Sequence, residues 1–420
     1  MTPAYKYPSD LARYVREHWP AGRELSLSHE LLCEALAVAY HASLTAEETR
    51  PTRFRLLLTP PDALPESGEP NRGVLRLPFD RIRAATPDEI RQLSPSAPFE
   101  TTLIGAHAFG GKLGIWGLAH SGPAWLAPTW GGRSVVPNWT YDPIVHVTAP
   151  GHLAVRCAGK LIGGLEGGKL VDAMIDVFES EWLTGMFTRE REEVQRQHDA
   201  QQAHAPVPTA AAPTLVARVG QQMVRRAIQL VLGARHGGLI LVVDASSDSP
   251  PTAFAGLNLK YRFDGSEPPR RYRTLLFQLL DTLAARTTNA SVDWADFARD
   301  TSPDLEKAEQ AIFEMSRVVA ALAEIDGAVV LDKRFTLLGF GAEVSGELPA
   351  PPLVYRALDT EGRERELNAV EEVGTRHRAA YRFVQQHPTG LAVVISHDGA
   401  VSFVANRDGA IVSWQQSVSR

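Results

Sequence analysis

The sequence predicts an α+β N-terminal domain with an antiparallel sheet, followed by an α/β C-terminal domain with a central mixed sheet flanked by helices. Three observations carry this reading. The chain has 420 residues, against roughly 150 for an average domain. Residues 190–213, EREEVQRQHDAQQAHAPVPTAAAP, pass from charged helix formers into an Ala/Pro/Thr stretch with no apolar period, which reads as a linker. Before it, short apolar runs alternate with Gly, Pro and Ser; after it, helical and strand patterns alternate. The domains are therefore placed at 1–188 and 214–420, with a helical arm and Ala/Pro-rich linker at 189–213.

The elements follow in order. Residues 27–43 have helical apolar spacing behind Ser28 as an N-cap, and 54–59 form a strand. Residues 101–165 break into TTLIGAHAF, LGIWGLAH, IVHVTA and HLAVRCAGKLI, a meander of strands. Residues 169–187 read as a helix leading out. Beyond the linker, 215–232 is an amphipathic helix and GGLILVVD at 237–244 a buried strand. Helices at 273–284 and 305–325 precede a strand at 327–332. A helix at 376–386, a strand at 392–396 and a hairpin around 406–409 close the chain. No repeat of 20–50 residues is present.

Composition excludes several classes. With 44% hydrophobic and 22% charged residues, the chain is that of a globular protein. A net charge of −6 disfavours a broad nucleic-acid grip, so any phosphate site must be compact. Cys33 and Cys157 are too few for a disulfide framework or a Cys-built zinc site. No h-region opens the chain and no apolar run approaches a membrane span, so a cytoplasmic protein without membrane anchor is expected.

The chemistry-bearing segment is Gly374-Thr375-Arg376-His377-Arg378-Ala379-Ala380. With Thr375 as N-cap, it places cations at a helix start, where free N–H groups and the macrodipole favour anions. Backbone donors, a hydroxyl and two guanidinium forks make a polyphosphate cradle; a solvated basic turn is the plain alternative. Asp326-Gly327-Ala328 sets a carboxylate and two small residues at the entrance to a strand, or makes a turn. Ser396-His397-Asp398 ends another strand, or makes a hairpin turn.

Together these segments resemble the diadenylate cyclase (DAC, DisA_N) domain, whose signatures are Asp-Gly-Ala and Arg-His-Arg. ARHGGLILVVD resembles its first strand and AVVISHDGAVSFV its Ser-Glu-Glu segment, with His397-Asp398 replacing the acidic pair. The two signatures stand 374 − 326 = 48 residues apart, with an insertion at 349–372. The resemblance implies condensation of two ATP molecules into cyclic di-AMP and two pyrophosphates, in a site shared by two facing subunits of a dimer or higher homo-oligomer. Asp326, with Gly327 and Ala328, would polarise the ribose 3′-hydroxyl. Gly374, Thr375, Arg376 and Arg378 would hold phosphate, His377 phosphate or metal, and Ser396 would add a hydroxyl. Asp398 would bind the metal, Mg²⁺ or Mn²⁺. The alternative is a nucleotide or cyclic-dinucleotide sensor that keeps the cradle without turnover. No DNA-binding domain is expected.

The first domain resembles, more weakly, the DACNV sensor modules fused to such cyclases in bacteria, which implies an unknown ligand or protein partner there. Trp116, Trp125, Trp130 and Trp139 could line a pocket or fill a core. His107, His120, His146 and His152 have no metal spacing. Gly163 to Lys169 lacks the Ser/Thr of a phosphate loop and reads as a strand-to-helix turn, and the glycines at 110, 111, 114 and 117 have no helix behind them.

Overall fold

The computed structural model describes residues 5–64, 74–122, 130–133, 141–172, 175–203, 208–244, 255–266, 271–368, 373–397 and 399–416. The chain forms two compact units, Met1–Pro128 with Ser134–Met174, and Thr129–Arg133 with Ile175–Ser419.

The first unit is α+β. Its elements are α1 (Pro8–Glu17), α2 (His29–Ser43), β1 (Phe54–Leu58), β2 (Leu75–Ala84), α3 (Pro87–Leu93), β3 (Thr102–Phe109), β4 (Lys112–His120), β5 (Ile144–Ala149), β6 (His152–Cys157), β7 (Lys160–Glu166) and β8 (Lys169–Asp172). These strands form an eight-stranded sheet in the order β8-β7-β6-β5-β1-β3-β4-β2, antiparallel except for the β1–β3 pair, and Ala46–Glu47 pairs with Arg50–Pro51 in a separate two-stranded sheet. Ser28 caps α2, its hydroxyl accepting from the Leu31 N–H at 3.3 Å. Alternate strand residues face opposite sides. Leu56, Ile104 and Val145 pack with Leu11, Leu32 and Leu36 of the helices, while Leu57, Leu103 and Trp116 form a second cluster.

Trp116 is core. Its Nε1–H donates to the Thr59 carbonyl at 2.9 Å, and a Cβ on Gly105 would fall 2.1 Å from its ring, so the glycine makes the indole's room. Trp125 and Trp139 lie outside the described residues, and Trp130 is exposed.

Arg55 stands opposite His146 across β1 and β5, and both are buried, as is Arg156. Burial first, then the nearby Arg156 and Arg55, push the His146 imidazole well below its ordinary 6.5. The unfolded chain therefore binds the extra proton. This stability is fully present above the unfolded value of about 6.5 and is lost as pH falls toward the folded one. Thermal melts from about pH 7.5 to about pH 5.5 should show the first unit's midpoint falling, less steeply in His146→Gln.

Of the expected helix at 169–187, only Glu181–Met186 is α-helical among the described residues. Gly167 and Gly168, at φ 55° and 77°, turn the chain back, so Lys169–Asp172 pairs with β7 as β8. The glycine-rich segment is thus a strand-to-strand turn. Gly110 and Gly111 likewise make the β3–β4 turn.

The continuous part of the second unit runs from Ile175 and takes in the segment expected as arm and linker. Its helices are α4 (Glu181–Met186), α5 (Thr188–Gln202), α6 (Pro213–Ala234), α7 (Arg271–Ala284), α8 (Trp294–Arg299), α9 (Pro303–Leu322) and α10 (Thr375–Gln386). Its strands are β9 (Gly238–Val243), β10 (Leu257–Arg262), β11 (Ala328–Asp332), β12 (Leu337–Val344), β13 (Val354–Ala357), β14 (Arg365–Asn368), β15 (Leu391–Ile395), β16 (Val401–Arg407) and β17 (Ala410–Gln416). The described strands form a nine-stranded mixed sheet in the order β10-β12-β11-β9-β15-β16-β17-β13-β14.

Most of the expected arm and linker is built into this unit. Val194 of α5 joins the core, and Glu193 takes Arg273 at 3.0 Å and Arg334 at 2.8 Å. Ala210–Ala211 pairs in parallel with Ser291–Val292. Residues 204–207 lie outside the described set.

β9 is buried throughout, and its side chains alternate between two cores. Ile240 and Val242 pack with Met223 of α6, Leu276 of α7 and Val319 of α9. Leu239, Leu241 and Val243 pack with Ala380, Phe383 and Val384 of α10. The insertion at 349–372 supplies β13 and β14, which extend the sheet beyond β17, where β13 runs parallel to that strand.

Candidate functional site

Strand register brings the three motifs to one end of the nine-stranded sheet. β9 runs parallel to β11, with Ile240 beside Val329, and antiparallel to β15, with Gly238 beside Ile395. Asp326-Gly327, Gly237-Gly238 and Ile395-Ser396 therefore share an edge, and α10 starts there. The Arg376 Nη2 donates to the His236 carbonyl at 3.3 Å, although 140 residues separate the two.

Helix α10 has Gly374 in the N-cap position, at φ −66° and ψ 169°, with no side-chain cap and no acid in its first turn. The expected cap, Thr375, is instead the first helical residue, and it is exposed. Glycine brings no side chain to the first-turn N–H groups, so those donors and the positive end of the dipole are left without a side-chain cap.

Arg376 is half-buried against the turn into β9. Gly237 adopts φ +71°, and a Cβ on it would lie 2.6 Å from the Ile395 carbonyl oxygen and 3.0 Å from Arg376 Nη1. The missing side chain lets the guanidinium rest on the turn. Arg378 is exposed, its Nη1 donating to the Val373 carbonyl at 3.1 Å, back along the entrance to the helix.

His377 points to the sheet. Its Nε2 lies 3.2 Å from the Ser402 Oγ of β16, so that nitrogen is committed to a structural hydrogen bond. Ser396 is half-buried in a tight turn, its N–H donating to the Ala400 carbonyl at 2.8 Å and its carbonyl oxygen accepting from the Gly399 N–H at 3.0 Å. Asp398 lies outside the described residues.

In Asp326-Gly327-Ala328 each residue has a distinct place. Gly327 sits at φ +106°, where a Cβ would come within 2.6 Å of the Gly341 carbonyl carbon in β12. Ala328 is buried at the start of β11, and Asp326 is exposed. The two small residues fix a close backbone approach, and the carboxylate is left facing solvent. Among the described residues, no group of three or more His, Cys, Asp or Glu side chains could hold a metal ion.

His236, Gly237 and Ser402 belong to this end of the sheet and were not singled out as site residues from the sequence. The paired glycines before the apolar run GLILVV are the signal that could have found the turn.

In the first unit, the His120 Nδ1 lies 3.0 Å from the Thr102 Oγ1. Residues 24–120, from before α2 through β4, match a family model. The family is described as probable sensor domain DACNV. The first unit is thus similar to a sensor domain, with Gly105 and Trp116 inside the matched stretch, and the match stays within that unit. No curated protein matches the chain. Among the described residues no helix is long and apolar enough to cross a membrane.

Proposed function

We propose that the second unit is a diadenylate cyclase, condensing two ATP molecules into cyclic di-AMP and two pyrophosphates under the control of the DACNV-like first unit. The observation that carries this is the meeting of three sequence-distant motifs at one end of a sheet, with Arg376 held over the Gly237 turn beside the uncapped start of α10. The substrate is ATP as its Mg²⁺ or Mn²⁺ complex, which enters with its own cation.

The α10 first-turn N–H groups, Arg376 and Arg378 hold the triphosphate and offset the charge that builds on the α-phosphate. Asp326 accepts the proton of the ribose 3′-hydroxyl as its oxygen attacks the α-phosphate of the facing ATP. The O3′–Pα bond forms, the bond from Pα to the bridging oxygen of pyrophosphate breaks, and the proton passes to solvent. The same step on the opposite side closes the ring, so two subunits face each other. Gly327 and Ala328 set the carboxylate's position through the backbone, and His377 fixes α10 against β16.

Control by the first unit has a covalent route, because the chain enters the second unit through α4 and α5, whose Leu183 and Val194 are part of its core.

The test is ATP binding and turnover in Arg376→Ala. The account expects binding to weaken about 10-fold or more, since a charged hydrogen-bonding group is worth roughly 1.5–3 kcal/mol. Unchanged ATP affinity would remove the cradle from the proposal.

A further inference from the structure

The face of the nine-stranded sheet opposite α10 holds a cavity of about 100 Å³ beneath α4, α5, α6 and α7. Its wall is apolar, with Phe187, Val216, Val224, Val242 and Val393 among the lining residues. One polar atom breaks this pattern. The Tyr272 hydroxyl is buried and, among the described residues, has no hydrogen-bond partner; the residue is 4% exposed and lines the cavity.

The surroundings keep this hydroxyl unpaired. Opposite it stands Gly220, where a Cβ would lie 3.2 Å from both the Tyr272 Oη and the Phe335 Cε2. Phe335 stacks on Phe187 at 5.6 Å and meets Tyr272 edge-on at 5.0 Å. Several polar lining groups are engaged elsewhere: Gln221 donates to the Phe178 carbonyl, Thr184 to the Ser180 carbonyl, Arg191 to the Thr184 carbonyl, Arg273 and Arg334 hold Glu193, and Lys333 holds Asp244. Burial pushes the phenol above its ordinary value of 10, so it stays a protonated donor.

We propose that this cavity is a binding site for a small apolar molecule of about single-ring size carrying one hydrogen-bond acceptor, which the Tyr272 hydroxyl meets. An apolar protein cavity of about 150 Å³ takes up benzene, so the scale suits one ring or a short alkyl chain. The acceptor satisfies a donor that is otherwise buried at a cost. The site is independent of the cyclase reading, since it needs neither ATP nor the α10 motif.

The experiment is calorimetric titration of the full chain with two probes of similar shape, acetophenone with an acceptor and ethylbenzene without one. The proposal expects both to bind, acetophenone about five- to tenfold more tightly. Tyr272→Phe should keep binding and erase that difference, while Val224→Phe, which fills the cavity from its half-buried wall, should abolish both. Absence of acetophenone binding to the wild type overturns the site, as does binding that survives Val224→Phe. A preference for acetophenone that persists in Tyr272→Phe overturns the role of the hydroxyl, and this variant removes only one oxygen, so it tests the idea even if the bulkier one does not fold.

Discussion

Asp326→Asn should lower ATP turnover about 10²–10⁴-fold, the range over which a positioned acid–base group contributes. Asparagine keeps the shape of the side chain and cannot take the 3′-hydroxyl proton. The side chain is exposed, so folding stability should change by no more than about 0.5 kcal/mol. ATP binding should also persist, because the carboxylate faces the ribose in this account and the phosphates are held by α10. Denaturant unfolding and ATP titration beside the rate measurement separate these effects. A rate within about threefold of wild type would remove Asp326 from the chemistry.

Gly237→Val should act in the opposite way, through structure. Its backbone lies at φ +71°, and a Cβ there would stand 2.6 Å from the Ile395 carbonyl oxygen and 3.0 Å from Arg376 Nη1. A β-branched residue at positive φ is strained, and the contacts force β9 from β15 and push the guanidinium away. The expected loss is about 3 kcal/mol or more of the second unit's stability, read from denaturant unfolding, with nucleotide binding weakened in whatever remains folded. Full stability would mean that the turn and Arg376 are not packed as described.

Elements with local signals were legible in the sequence. Ser28 marks the start of α2, the apolar run GLILVV marks β9, and the Asn406 to Gly409 turn joins β16 to β17, with the Gly409 N–H donating to the Asn406 Oδ1 at 3.1 Å. What escaped depends on distant partners. Helix α5 shows no apolar period because it buries Val194 and His198 and is tied in by the Glu193 ion pairs to Arg273 and Arg334. Strands β13 and β14 are four residues each and gain their place from pairing, β13 with β17 and β14 with β13. The segment after β7 carries an apolar pattern compatible with a helix, and two positive-φ glycines decide against it. The motif residues themselves were legible as types, since cations at a helix start call for an anion. Their meeting was not, because it follows from sheet register and from the Arg376–His236 contact across 140 residues.

The central claim is tested most directly by incubating the purified full chain with ATP and Mn²⁺ or Mg²⁺ and identifying the products by mass spectrometry. The account predicts cyclic di-AMP and two pyrophosphates for each product molecule, formed about 10²–10⁴-fold more slowly by Asp326→Asn. ATP that binds in an Arg376-dependent manner but is returned unchanged, over protein concentrations that span dimer formation, would contradict it and leave a nucleotide sensor in place of the cyclase.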